Sequence, residues 1–156
     1  MKQEKKSFTV AEIREKLAQY CVYQDRCHWE VEQKMREFTL IPEAKDEILI
    51  YLIQQKFLNE ERFTKSFARG KFYQKKWGKV KIANALKLKQ IPPKLIEVGL
   101  KEINANDYFE TLEMLYNQKL DSLASERDSF KKKAKIKSYL LQKGFEVHLI
   151  HELLFE

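Results

Sequence analysis

Three stretches of this chain repeat one pattern. HWEVEQKMREFTLIPEAKDEILIYL begins at His28, WGKVKIANALKLKQIPPKLIEVGLKEI at Trp77 and SFKKKAKIKSYLLQKGFEVHLIHELL at Ser129. Each reads as a helix closing on an apolar side chain (Met35, Leu86, Leu140), a short turn with one apolar residue (Ile41, Ile91, Phe145), and a second helix. A longer helix precedes each. Fifty-one residues separate Met35 from Leu86 and fifty-four separate Leu86 from Leu140. A period near fifty implies three-helix units. One such unit buries little surface by itself, so neighbours are expected to stack and share a core. The 156-residue chain is therefore expected to be all-α, a tandem array of three three-helix repeats, elongated and curved. The expected repeats are residues 1–58, 59–103 and 104–156.

Local signals agree with helix throughout. Four glycines and three prolines are too few for many hairpin turns. Apolar residues recur at helical spacing at Phe8, Ile13, Leu17 and Cys21, at Val31, Met35 and Phe38, and at Ile48, Leu49, Leu52 and Ile53. The same spacing returns at Phe63, Phe67, Gly70 and Trp77, and at Phe109, Leu112, Leu115 and Tyr116. Pro42 followed by acids suits a first turn. Asn59, Asn104 or Asn106, and Ser125 or Asp128 are the expected helix caps. Gly78 and Gly144 are expected breaks, and about nine helices result.

Charge is segregated. Residues 59–103 hold twelve Lys/Arg against four Asp/Glu, whereas residues 1–58 hold ten of each and residues 104–156 hold eight against nine. No acid occurs between Arg62 and Ile96. The net charge of +7 is therefore a property of the middle repeat. Localised positive charge attracts polyanions or acidic protein surfaces.

The segment FLNEERFTKSFARGKF from Phe57, followed by Gly78, Ile82, Leu86 and Ile91, resembles the signature of the RecX family of recombinase regulators. LLQKGFEVHLIHELL, from Leu140, is similar to that family's C-terminus. Glu60 stands where the family usually has Asp, Thr64 where Ala is usual, and Lys71 where Arg is usual. The likeness runs from about Phe8 to Leu154. It implies a protein that binds RecA and its nucleoprotein filament and modulates, usually inhibits, its ATPase and strand exchange. Contact with DNA, where made, is expected to be nonspecific. A DNA-binding helical protein with no recombinase partner is the rival reading.

On a helix from Glu60 to Trp77, Phe63, Phe67, Gly70, Gln74 and Trp77 share one arc, expected to face the core. Lys65, Arg69, Phe72 and Lys76 fall opposite. The expected partner-binding set is Arg62, Lys65, Arg69, Lys71, Phe72, Lys75, Lys76, Lys79 and Lys81. Phe72 either stacks on a base or fills an apolar notch of the partner, or packs against the neighbouring repeat. A second basic run, Lys131, Lys132, Lys133, Lys135 and Lys137, reads more simply as a solvated face.

Catalytic chemistry finds no residues to stand on. There is no phosphate-cradling glycine loop. His148 and His151 lack a clear third metal ligand. Cys21 and Cys27 are wrongly spaced for zinc or a redox pair. No cofactor and no metal are expected. No apolar run approaches the ~20 residues of a membrane span, and MKQEKKSFTVAEIREKL lacks a signal-peptide core. A cytoplasmic monomer, not an enzyme, is expected.

Overall fold

The computed structural model describes residues 7–155, and these contain nine α-helices and no strand. The first repeat comprises α1 (Val10–Tyr23), α2 (His28–Met35) and α3 (Pro42–Gln54). The second comprises α4 (Glu60–Tyr73), α5 (Lys79–Leu88) and α6 (Pro93–Leu100). The third comprises α7 (Ala105–Ser122), α8 (Ser129–Gln142) and α9 (Val147–Leu154). The accessible surface is 10565 Å². A compact chain of this mass exposes about 8,300 Å², so the array is elongated.

The helices begin where side chains can satisfy their free N–H groups. Asn59, Asn104 and Asp128 accept from the backbone of Arg62, Asp107 and Phe130, and Thr9 forms a capping box with Glu12. Each cap is worth about 1 kcal/mol. Pro42 and Pro93 open α3 and α6, where a missing N–H costs nothing. Helix ends turn through left-handed backbone at Lys56, Lys76, Gln90 and Gly144. At each, the following N–H closes back on the helix, as in Ile91 to the Leu86 carbonyl (3.1 Å) and Phe145 to the Leu140 carbonyl (3.2 Å). Repeats two and three thus share one turn design, seen in the expected apolar turn residues Ile91 and Phe145. In the first repeat the buried turn residue is Phe38, whereas Ile41 is 66% exposed. The turn there is longer, and Ile41 serves as the residue before the Pro42 helix.

Two hydrophobic cores form. One belongs to the first repeat and gathers Ile13, Leu17, Val31, Met35, Ile48 and Leu52, with Leu58 closing it. The other is common to the second and third repeats and runs from Phe63 through Leu86 and Leu112 to Ile150. The expectation of a shared core holds for repeats two and three. Repeat one contributes to the common core chiefly through Cys27 and Trp29, at the start of α2.

The joint between repeats two and three is apolar inside and closed at backbone level. The Tyr108 ring on α7 lies 5.5 Å from Phe72 and 5.2 Å from Phe145, centroid to centroid. Its hydroxyl donates to the Glu146 carboxylate and accepts the Lys79 N–H at 3.0 Å, so the buried polar end is satisfied. Gly78 donates to the Lys143 carbonyl (2.7 Å) and Val80 to the Gly144 carbonyl (2.9 Å). A Cβ on Gly78 would stand 2.3 Å from the Gly144 backbone, so glycine is required by the close crossing. The joint between repeats one and two is apolar chiefly at Cys27 and Trp29 and otherwise carries ion pairs. Arg62 pairs with Asp25 (2.8 Å), Lys89 with Glu30 (3.2 Å) and His28 with Glu60 (3.2 Å).

Candidate polyanion-binding site

Helix α4 presents a different face from the one expected. Its buried residues are Phe63, Thr64, Ala68 and Phe72. Phe72 is 1% exposed and packs on Tyr108, so it belongs to the joint core and is unavailable to a partner. The helix also ends at Tyr73, four residues before Trp77, and Gln74 is exposed. The cause lies in the small residues. A Cβ on Gly99 of α6 would meet the Thr64 methyl at 2.6 Å. Helices α4 and α6 therefore approach closely at Thr64 and Gly99, which rotates the buried arc away from the aromatic stripe. Likewise, Tyr108 is the buried aromatic of α7, and Phe109 is 51% exposed.

The remaining basic residues divide into two sets. Arg62, Lys65 and Arg69 have acidic partners: Asp25 at 2.8 Å, Glu61 at 3.7 Å and Glu102 at 2.8 Å. Arg62 also donates to the Lys56 and Phe57 carbonyls, closing the end of α3. Though no acid interrupts the sequence from Arg62 to Ile96, acids before and after that stretch neutralise these three. By contrast, Lys71, Lys75, Lys76, Lys79 and Lys81 have no acidic partner within 4 Å among the described residues.

These five lysines surround the α4–α5 connection. The Lys71 and Lys81 ammonium groups lie 4.8 and 4.5 Å from the Trp77 ring centroid, and Lys79 lies 4.7 Å from that of Tyr108. Cation–π contact of this kind orients the lysine stems at a modest gain, about 0.5–1 kcal/mol when exposed. Trp77 is half-buried against the joint core and so acts as a fixed post between two cations. The third repeat adds a sixth cation, Lys143, whose Nζ donates to the Lys75 carbonyl at 3.0 Å. Partial burial lowers the Lys143 pKa, and the positive charges of Lys81 and Lys76 lower it further. The sequence reading missed Lys143, since it stands sixty-eight residues from Lys75.

The other basic run is dispersed. Lys135 pairs with Glu126 at 3.1 Å and Lys133 covers the Phe155 ring at 4.9 Å. His151 packs edge-on to Phe155. No group of three or more metal-ligating side chains occurs among the described residues. Cys21 and Cys27 are buried free thiols, each pushed up to about 11 mainly by burial, and so poor nucleophiles at neutral pH. No helix among the described residues is long and apolar enough to cross a membrane.

The geometry defines a three-repeat helical protein with a cationic cluster at the joint of repeats two and three, its five lysines without acidic partners among the described residues. Residues 59–100 match the family described as RecX, second three-helix domain, and residues 106–154 match RecX, third three-helix domain. "Regulatory protein RecX" of Clostridium acetobutylicum is 29% identical over 130 residues, covering 81% of this chain and 60% of that relative. "Regulatory protein RecX" of Chlorobium limicola is 28% identical over 112 residues, covering 70% of this chain and 67% of that relative. This chain thus spans less than two thirds of the length of the Clostridium relative. The crystal structure of RecX from Lactobacillus salivarius superposes with a TM-score of 0.82 at 26% identity, covering 93% of this chain and 94% of that one. A second solved structure, titled regulatory protein RecX, shares the fold with a TM-score of 0.82 at 20% identity, covering 93% of this chain and 70% of that one. The chain belongs to the RecX family.

Proposed function

We propose that this protein binds RecA and its filament on DNA and restrains recombinase activity. It acts by occupancy, as a cytoplasmic monomer and without catalysis. The observation that supports this reading is the lysine cluster around Trp77, five lysines gathered at one joint with no acidic partner within 4 Å among the described residues. Fixed cations on a rigid joint suit a repeating anionic surface. Phosphate contacts give affinity without base readout, which fits a protein that follows a filament and does not seek a sequence. The elongated body lies along the filament groove, and the cluster meets DNA phosphate or acidic protein surface. Bridging successive protomers then hinders subunit exchange and entry of a homologous duplex.

The test is the single-stranded-DNA-dependent ATPase of the cognate RecA, titrated with this protein. A fall in rate well below one protein per protomer supports filament bridging or capping. No effect above equimolar ratio, with binding to bare DNA retained, favours a nonspecific DNA-binding protein without a recombinase partner. For DNA contact, log K falls by about 0.9 per phosphate contact for each tenfold rise in salt.

A further inference from the structure

We infer that Lys143 is a nucleophilic lysine, acylated by acyl phosphates that the neighbouring ammonium groups recruit. Three features of the joint converge on this residue. First, its Nζ is held by the 3.0 Å hydrogen bond to the Lys75 carbonyl. A neutral amine keeps that bond through one N–H and leaves its lone pair free. Second, the elements packed on this turn bring cations to it. Lys76 follows Lys75, whose carbonyl holds the Lys143 Nζ, and Lys81 in the first turn of α5 rests directly on Gly144, while the acid of the same turn, Glu146, is engaged by the Tyr108 hydroxyl. Third, no carboxylate lies within ion-pair distance of Lys143, Lys76 or Lys81 among the described residues. Such a pocket of charge favours a dianionic phosphate and disfavours the protonated amine beside it.

An ordinary lysine is about 0.04% free amine at pH 7. The lowered pKa of Lys143 raises that fraction, partly offset because a less basic amine is a weaker nucleophile. The phosphate of the reagent sits on Lys76 and Lys81, and its acyl carbon faces the amine. The nitrogen lone pair forms the C–N bond as the C–O bond to phosphate breaks. Phosphate leaves with the bonding electrons and takes up the proton lost from nitrogen. The product is an uncharged amide, inorganic phosphate is released, and no oxidant or reductant is needed. Acylation deletes the one cation that repeat three adds to the cluster. Its effect on partner affinity rests on the function proposed above, whereas the acylation itself does not.

The experiment incubates the full chain with acetyl phosphate and follows each lysine by site-resolved mass spectrometry. The expected result is labelling of Lys143 about threefold or more faster than the exposed Lys94 and Lys131. The double variant Lys76→Gln/Lys81→Gln, with helix content checked by circular dichroism, should bring Lys143 down to their rate. The neutral ester p-nitrophenyl acetate should show a smaller preference for Lys143, because it has no phosphate to recruit. Labelling of Lys143 no faster than Lys131 overturns the inference. An unchanged preference in the double variant, or an equal preference with the neutral ester, overturns the recruitment by Lys76 and Lys81. Fast acylation that leaves DNA and filament affinity unchanged supports the modification site and counts against the proposed binding role of the cluster.

Discussion

Repeat one and repeats two and three are built from the same three-helix unit but are joined in opposite ways. The joint of repeats two and three buries Phe72, Tyr108 and Phe145 and closes with backbone hydrogen bonds between Gly78, Val80 and the Lys143–Gly144 turn. The joint of repeats one and two depends largely on the pairs Arg62–Asp25, Lys89–Glu30 and His28–Glu60. An apolar, sterically closed joint makes two repeats behave as one cooperative body. A part-exposed charged joint holds more weakly and softens as salt rises. The difference also bears on the proposed binding site. Cations at the polar joint are consumed in holding repeat one, whereas those at the apolar joint remain free because packing already holds the repeats together.

The comparison can be broken most forcefully at Gly78. Gly78→Val forces a side chain into the Gly144 backbone and should destabilise the joint body by about 3 kcal/mol or more. Urea unfolding should then resolve a separate transition for the third repeat. Tyr108→Phe is the next largest. It removes one hydroxyl and strands the Lys79 N–H and the Glu146 carboxylate, at a cost of about 1–3 kcal/mol. The same unfolding curve measures it.

Alkaline pH should weaken both bodies. The folded pKa values of Cys21 and Cys27, about 11, lie above the ordinary thiol value. Their contribution to stability is therefore full below the unfolded value, and is lost as pH rises from about 9 through 11. Burial and the bond to Glu146 also raise the Tyr108 pKa, which adds a loss beginning above the ordinary tyrosine value of about 10. Midpoints of urea unfolding between pH 8 and 11 measure this. Replacing both cysteines with alanine should flatten the part of the slope that begins near 9.

Asp25→Ala sharpens the comparison from the polar side. It should cost under about 1 kcal/mol, and only at low salt, because the pair with Arg62 is partly exposed. Its effect should register in hydrogen exchange of α1–α3 and leave α4–α9 unchanged. Gln90→Gly is smallest and opposite in sign. Gln90 has φ +60, and glycine there should stabilise the joint body by about 0.5–1 kcal/mol.

Much of this fold was legible in the sequence. The fifty-residue period, the Asn59 cap and the Pro42 start are local signals, and local signals survive into the structure. The candidate site was legible only in part. Charge segregation marked the repeat that carries five of the cluster's six lysines, yet it did not separate Arg62, Lys65 and Arg69 from the lysines without acidic partners. Their acidic partners Asp25 and Glu102 are remote in sequence, and Glu61 acts one helical turn away. Of the two readings of Phe72, packing against the neighbouring repeat holds, through Tyr108; the helical wheel set it opposite the core because a wheel weights large aromatics. Here the contact of Thr64 with Gly99 decides which face is buried. Lys143 reaches the cluster only through the crossing of Gly78 and Gly144, a tertiary event that no periodicity encodes.

The most direct test sets the two basic groups against each other. Inhibition of the RecA ATPase should be measured for Lys75→Glu/Lys76→Glu/Lys81→Glu and for Lys65→Glu/Arg69→Glu, with helix content checked in both. The free-cluster variant should lose inhibition and most of its salt-sensitive binding, while the paired-face variant keeps most of both. Wild-type inhibition by the free-cluster variant, or equal loss in the two, would contradict the assignment of binding to the joint of repeats two and three.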